Sequence, residues 1–154
     1  MNILVTGCNG QLGNEFKKIA RYDCNFDWIF TDVDTLNICN ENDVKIFFRE
    51  NKIDICINCA AYTAVDKAED DEHNARTINS IAVKYLAECC KSHKSLLIHI
   101  STDYVFDGKS ELPYKENDAI SPNSVYGRTK AEGEQNVMKS GCSYIIVRTS
   151  WLYS

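Results

Sequence analysis

Met1-Asn-Ile-Leu-Val-Thr-Gly7-Cys-Asn-Gly10-Gln-Leu-Gly13 opens the chain and decides its fold. The apolar run Ile3-Leu4-Val5 reads as a strand, and three glycines follow at a spacing of three. Beyond them the apolar Phe16, Ile19 and Ala20 are interleaved with Glu15, Lys17 and Lys18, the pattern of an amphipathic helix. The stretch therefore reads as strand, tight turn, helix. Gly7 permits backbone angles that a Cβ would forbid, Gly10 lets the backbone approach a phosphate, and Gly13 lets the new helix pack on the strand. The helix N-terminus then aims its free N–H groups at a pyrophosphate. The spacing is G-x-x-G-x-x-G rather than the commoner G-x-G-x-x-G, and its weight comes from its place between a strand and a helix.

A second strand, Trp28-Ile-Phe30, runs into Asp32. That carboxylate falls roughly twenty residues past the glycines, where a dinucleotide fold places the acid that accepts hydrogen bonds from a ribose 2′-hydroxyl. Taken alone it favours NAD over NADP, because it repels a 2′-phosphate. Asn40 is an N-cap for a helix over 41–51 with Val44, Phe47 and Phe48 inward. A third strand, 54–58, is apolar on both faces and leads into the small residues Ala60 and Ala61, then Tyr62 and Thr63. The charged stretch from Asp66 to Glu72 reads as a solvated helical face or loop. A long helix over 79–92 (Ile81, Val83, Leu86, Ala87 and Cys90 inward) precedes a fourth strand, 96–100, which ends at Ser101-Thr102-Asp103-Tyr104. The connection over 107–121 is too long for a simple turn and is a candidate functional loop. Pro122 opens a helix over 123–139, and a fifth strand, 144–148, ends at Thr149-Ser150-Trp151. Strand and helix alternate throughout, which predicts one α/β domain over residues 1–154 with a doubly wound parallel sheet of Rossmann type. Ligands gather at the carboxyl ends of such strands.

Composition narrows the partners. The 154 residues are 44% hydrophobic and 25% charged, with a net charge of −5, so neither nucleic acid nor an anionic membrane is an expected partner. No signal peptide and no transmembrane-length apolar run is read, and a cytoplasmic location is expected. Eight cysteines in that setting are expected to be reduced thiols, most of them small buried hydrophobes. Cys56 and Cys59 have C-x-x-C spacing, but on a strand an odd offset puts them on opposite faces, and no metal site is expected.

Chemistry is concentrated at Tyr126-Gly-Arg-Thr-Lys130. Tyr and Lys four apart share one helical face. An ammonium beside a phenol favours the phenolate, so the pair suits proton transfer at a carbonyl or alcohol oxygen, and Thr102 could bring a hydroxyl to the same atom. His73, His93 and His99 lack evident partners, and His99, inside the fourth strand, reads as a packed core residue.

With these residues the chain resembles the extended short-chain dehydrogenase/reductases and, within them, the dTDP-4-dehydrorhamnose reductase family. The likeness rests on 2–13, Ala60-Ala-Tyr-Thr-Ala-Val-Asp-Lys-Ala-Glu69, Ser101-Thr-Asp-Tyr-Val-Phe-Asp-Gly108, Val125-Tyr-Gly-Arg-Thr-Lys-Ala-Glu-Gly-Glu134 and Arg148-Thr-Ser-Trp-Leu-Tyr153. The resemblance implies that Gly7, Gly10, Gln11, Leu12 and Gly13 form the pyrophosphate loop, and that Asp32, Asn37 and Ile38 hold the adenosine end. It implies further that Ala61, Tyr62 and Thr63 line the cofactor, that Tyr126 is the proton donor, that Lys130 binds the nicotinamide ribose and tunes Tyr126, and that Thr102 assists. Thr102, Asp103 and Trp151 would touch a dTDP-sugar substrate. The implied cofactor is NADPH or NADH despite Asp32. The implied reaction is reduction of the C4 ketone of dTDP-4-dehydro-L-rhamnose, in the synthesis of dTDP-L-rhamnose for polysaccharides. Asn37 stands where the family often has an acid, which bears on the adenine contact and not on the chemistry. The family continues well past Trp151 with a C-terminal substrate-closing portion, so this chain is expected to be the cofactor-binding part; a homodimer is left open for the full-length protein. Two alternatives remain at this point: a non-catalytic NADP-binding regulatory subunit like the β subunit of methionine adenosyltransferase, and a reductase or epimerase of another nucleotide sugar.

Overall fold

Five strands, β1 (Asn2–Thr6), β2 (Asp27–Thr31), β3 (Ile55–Asn58), β4 (Leu96–Thr102) and β5 (Ser143–Thr149), pair entirely in parallel in the order β2-β1-β3-β4-β5. This computed structural model describes residues 1–152, and Tyr153 lies outside them. Among the described residues six α-helices connect and cover the strands: α1 (Gln11–Ala20), α2 (Glu41–Glu50), α3 (Val65–Asp70), α4 (Glu72–Arg76), α5 (Ala82–His93) and α6 (Val125–Ser140). Alternation along each strand sends side chains to two cores. Leu4, Cys56, Leu97 and Ile146 meet Val44 and Phe48 of α2, Val83 and Leu86 of α5, and Val137 of α6. Ile3, Val5, Ile57 and Ile98 face the other side with Phe16 of α1, Trp28 and Phe30. Cys56 and Cys59 accordingly fall in opposite cores, and all eight cysteines are free thiols. The direction of strand addition reverses after β1, so the turn that follows β1 sits at the topological switch point.

Several local features differ from the sequence reading. Ile19, near the end of α1, and Ile81, the last residue of the π-turn before α5, are exposed. Asn40 does cap α2, accepting from Asn42 N at 3.0 Å and Asp43 N at 3.4 Å. The long helix starts earlier than residue 79: α4 runs through a π-turn (Thr77–Ile81) into α5. The charged stretch before it is more than a solvated face. Glu69 accepts from Val125 N at 2.8 Å at the start of α6, and Asp71 accepts from the Tyr62 hydroxyl at 3.2 Å. Pro122 does not open α6. Ser124 is the N-cap, taking Gly127 N at 3.0 Å. Gly127 and Gly133 let α6 approach closely, since a Cβ would stand 2.3 Å from Tyr104 O and 2.2 Å from Asn79 O respectively.

Candidate active site

The three glycines of the first turn do different work. Gly7 has φ +65°, and a Cβ there would lie 2.6 Å from the Ala60 backbone, so both conformation and space demand glycine. A Cβ on Gly13 would lie 2.5 Å from Gly7 O and from Cys8 Cα. Gly13 thus packs against the turn itself, not against the strand as expected from the sequence. Gly10 is ordinary in conformation (φ −72°), and a Cβ would find only Gly7 O, at 3.3 Å. Its open side faces a trough.

That trough consists of two adjoining clefts that share Gly10, Cys59 and Ala61. One, of about 270 Å³, is walled by Gly7, Asp32, Asn37 and Ile38, with Ile78 reaching in from the π-turn. The other, of about 510 Å³, is walled by Gln11, Leu12, Thr63, Thr102, Asp103, Tyr126, Lys130 and Trp151. Residues scattered over the sequence are thus collected along one groove at the carboxyl ends of the strands. Gly13 and Tyr62 are not on its walls. Gly13 lies beneath the turn, and Tyr62 turns away to Asp71, packing with Ala68, Ala75, Val125 and Tyr126. Asp32 is held in place by accepting from Asn9 N and Val33 N, each at 2.9 Å. Trp151 stands exposed at the rim, and Gln11 Nε2 donates to Leu152 O at 3.0 Å across the cleft mouth. A bare backbone cradle over Gly10, a carboxylate at one end, and a phenol and ammonium at the other fit a dinucleotide laid along the groove.

At the end of the groove away from Asp32, Tyr126 and Lys130 are both buried on one face of α6. The Tyr104 ring meets Tyr126 edge-on, 5.6 Å between centroids. Burial pushes the Tyr126 phenol above its ordinary value. The Thr102 hydroxyl acts in the opposite sense, while Asp103 and Tyr104 push further up. The sequence reading had Lys130 favouring the phenolate; here the phenol is held in its protonated, donating form. Thr102 Oγ1 itself donates to Asp103 Oδ1 at 3.1 Å and accepts from Tyr104 N at 3.2 Å. Lys130 Nζ donates to Ile100 O at 2.6 Å. Burial draws its pKa down to about 8, opposed first by the Glu134 carboxylate and then by Cys59. Cys59, desolvated, is pushed up to about 12 in spite of Lys130, so it is a thiol and not a nucleophile at neutral pH. Among the described residues no group of three or more His, Cys, Asp or Glu is placed to hold a metal ion, and no helix is long and apolar enough to cross a membrane.

Several residues that build the site were not singled out from the sequence. Asn79 is fully buried; its Oδ1 accepts from Tyr62 N at 2.9 Å, and its Nδ2 donates to Tyr62 O and to Thr129 Oγ1, both at 3.1 Å. It pegs the 61–63 wall of the trough to α6. Asn58 accepts from Thr6 Oγ1 at 2.7 Å and from Ala60 N at 3.2 Å, and its Nδ2 lies 3.2 Å from His99 Nδ1. His99 is the core histidine expected, though with a partner, and burial and Lys130 together hold its pKa well below the usual range. Nothing in a single sequence marks an internal asparagine as a peg. The asparagine at the end of an otherwise apolar strand was the one available signal.

This architecture and groove define a Rossmann-type NAD(P)-binding fold. A family model described as "RmlD substrate binding domain" matches residues 1–154, and the chain belongs to that family, the dTDP-4-dehydrorhamnose reductase (RmlD) family. It is 41% identical over 151 residues to a dTDP-4-dehydrorhamnose reductase of Aggregatibacter actinomycetemcomitans, covering 98% of this chain and 51% of the relative. It is also 41% identical over 155 residues to a probable dTDP-4,6-dihydroxy-2-methyloxan-3-one 4-ketoreductase of Streptomyces antibioticus, covering 99% and 52%. Among solved structures, a dTDP-4-dehydrorhamnose reductase of Clostridium acetobutylicum superposes with a TM-score of 0.96 at 48% identity, over 99% of this chain and 54% of that one. Another, from Bacillus anthracis in complex with NADP, gives 0.93 at 38%, over 99% and 54%. The chain spans about half the length of the curated relatives it matches.

Proposed function

We propose that this chain carries the cofactor-binding and proton-donating half of a reductase that converts the C4 ketone of dTDP-4-dehydro-L-rhamnose to the alcohol of dTDP-L-rhamnose, using NADPH or NADH. The observation that carries this reading is the single groove that joins the bare Gly10 turn to Tyr126, Lys130 and Thr102. The solved relative bound to NADP supports the choice of cofactor class. Gly10, Gln11 and Leu12 would cradle the pyrophosphate, Asp32, Asn37 and Ile38 the adenosine, and Ala61, Thr63 and Lys130 the nicotinamide half. The bound cofactor supplies the hydride that reaches C4. Tyr126, held protonated by its burial, gives its proton to the oxygen as negative charge develops there, and Thr102 hydrogen-bonds the same oxygen. Lys130 stabilises the phenolate that remains until solvent returns the proton. The further length found in relatives is assigned the closing of the site over the sugar.

A second reading has a specific observation in its favour. The equal identity to a ketoreductase of a different dTDP sugar leaves the ring substituents as the variable. The test of mechanism is Tyr126→Phe in a form extended to the relatives' length. Reduction is expected to fall by about a thousandfold or more, the loss of a positioned proton donor, while the cofactor dissociation constant stays within a factor of about two. Undiminished turnover would refute the role of Tyr126.

A further inference from the structure

Lys130 does not stand alone on α6. Tyr126, Lys130 and Glu134 recur every fourth residue, so they share one face of the helix, and all three are buried. The Glu134 carboxylate is gripped as a fork by Arg148 of β5: Nε donates to Oε1 at 2.9 Å and Nη2 to Oε2 at 2.7 Å. Arg148 lies over the Phe106 ring, 5.0 Å from its centroid, and its Nη1 donates to Glu116 O at 3.0 Å. One guanidinium thus joins the helix of Tyr126 and Lys130, the segment after β4, the long 107–121 connection, and β5 just before it delivers Thr149, Ser150 and Trp151 to the groove.

Well-packed apolar residues commonly do as well for stability as a buried ion pair of similar volume. The place of this pair, one turn from Lys130, therefore points to the site. We propose that Glu134 is a positioning residue for the reduction described above: clamped by Arg148, it fixes the Tyr126–Lys130 face of α6 against β5 and supplies the negative charge that Lys130 is set against. The inference rests on that reading of the groove. Burial lowers the pKa of Lys130, and Glu134 is the largest influence opposing it. The other titratable groups around Lys130 are Tyr126 on α6, Cys59 at the end of β3, His99 on β4 and, beyond Tyr126, Asp103. Charges on the helices behind α6 are spent elsewhere, Glu69 on Val125 N and Arg76 on Glu132. Without Glu134 the Lys130 ammonium loses the carboxylate charge that offsets its burial, and keeps the hydrogen bond to Ile100 O and a neighbouring thiol that is un-ionised at neutral pH.

The test takes the form extended to the relatives' length and compares it with Glu134→Gln and with the double variant Glu134→Gln/Arg148→Met, which leaves no unpaired charge buried if the single variant fails to fold. NADPH binding, read by cofactor fluorescence across the neutral-to-alkaline range, reports on Lys130 without any sugar. Ketone reduction over the same range reports on the site at work. Both variants are expected to move the alkaline limit of NADPH binding, and of kcat, to lower pH by about one unit. A lowered Tm with both limits left at the wild-type pH would overturn the proposal and make the pair a strut only. If the extended wild-type form binds NADPH but reduces no sugar, the reductase reading fails, and the binding arm still decides the role of Glu134.

Discussion

At the scale of single residues, the first turn separates what the fold needs from what a ligand needs. A Cβ on Gly13 would collide with backbone at 2.5 Å, whereas one on Gly10 would meet only Gly7 O, at 3.3 Å. Gly13→Ala is therefore expected to destabilise the protein by several kcal/mol, a clash with backbone that cannot give way. Gly10→Val should change Tm by no more than a few degrees while weakening NADPH binding by about a hundredfold or more, through the space its branches take from the pyrophosphate. Thermal melts paired with cofactor titrations distinguish the two. Equal cofactor affinity in Gly10→Val would remove the pyrophosphate from this turn.

At the scale of elements, the interface between β4 and α6 carries a pH dependence. His99 is fully buried there, Nδ1 faces Asn58 Nδ2, and Nε2 is one of two buried side-chain atoms among the described residues without a hydrogen-bond partner, the other being Ser101 Oγ. Its pKa is held well below the ordinary value, so the folded state keeps it neutral while the unfolded chain takes up a proton below about pH 6.5. The associated stability is complete above that pH and is lost as pH falls, by up to about 1.4 kcal/mol per unit. Tm should decline from pH 7 to about pH 5 in the wild type, and His99→Gln should flatten the decline. An unchanged slope in the variant would place the acid sensitivity elsewhere. The elements themselves were largely legible: the β1 turn, the Asn40 cap and the Tyr126–Lys130 helix all lie where pattern and spacing put them. What escaped was set by partners distant in sequence. The start of α6 depends on Ser124 and on Glu69 from 56 residues earlier, and Asn79 is recognisable only once Tyr62 and Thr129 stand beside it. The direction of the Tyr126 shift depends on burial, which a sequence does not display.

At the scale of the whole molecule, a parallel sheet with its switch point after β1 gathers the Gly turn, Asp32, the Asn79-pegged wall and the Tyr126 helix at one edge. Family membership and this geometry agree on a dinucleotide groove, while the chain covers about half the length of its relatives. In the proposed enzyme the two functions are therefore separable: cofactor binding belongs to this chain, and turnover requires the further length. The decisive measurement is oxidation of NADPH and NADH with dTDP-4-dehydro-L-rhamnose, run side by side on this chain and on a form extended to the relatives' length, with cofactor binding followed in both. Binding by both and turnover by the extended form is the predicted result. Cofactor binding with no turnover by either form would contradict the reductase reading and favour a cofactor-binding regulatory protein or a different sugar.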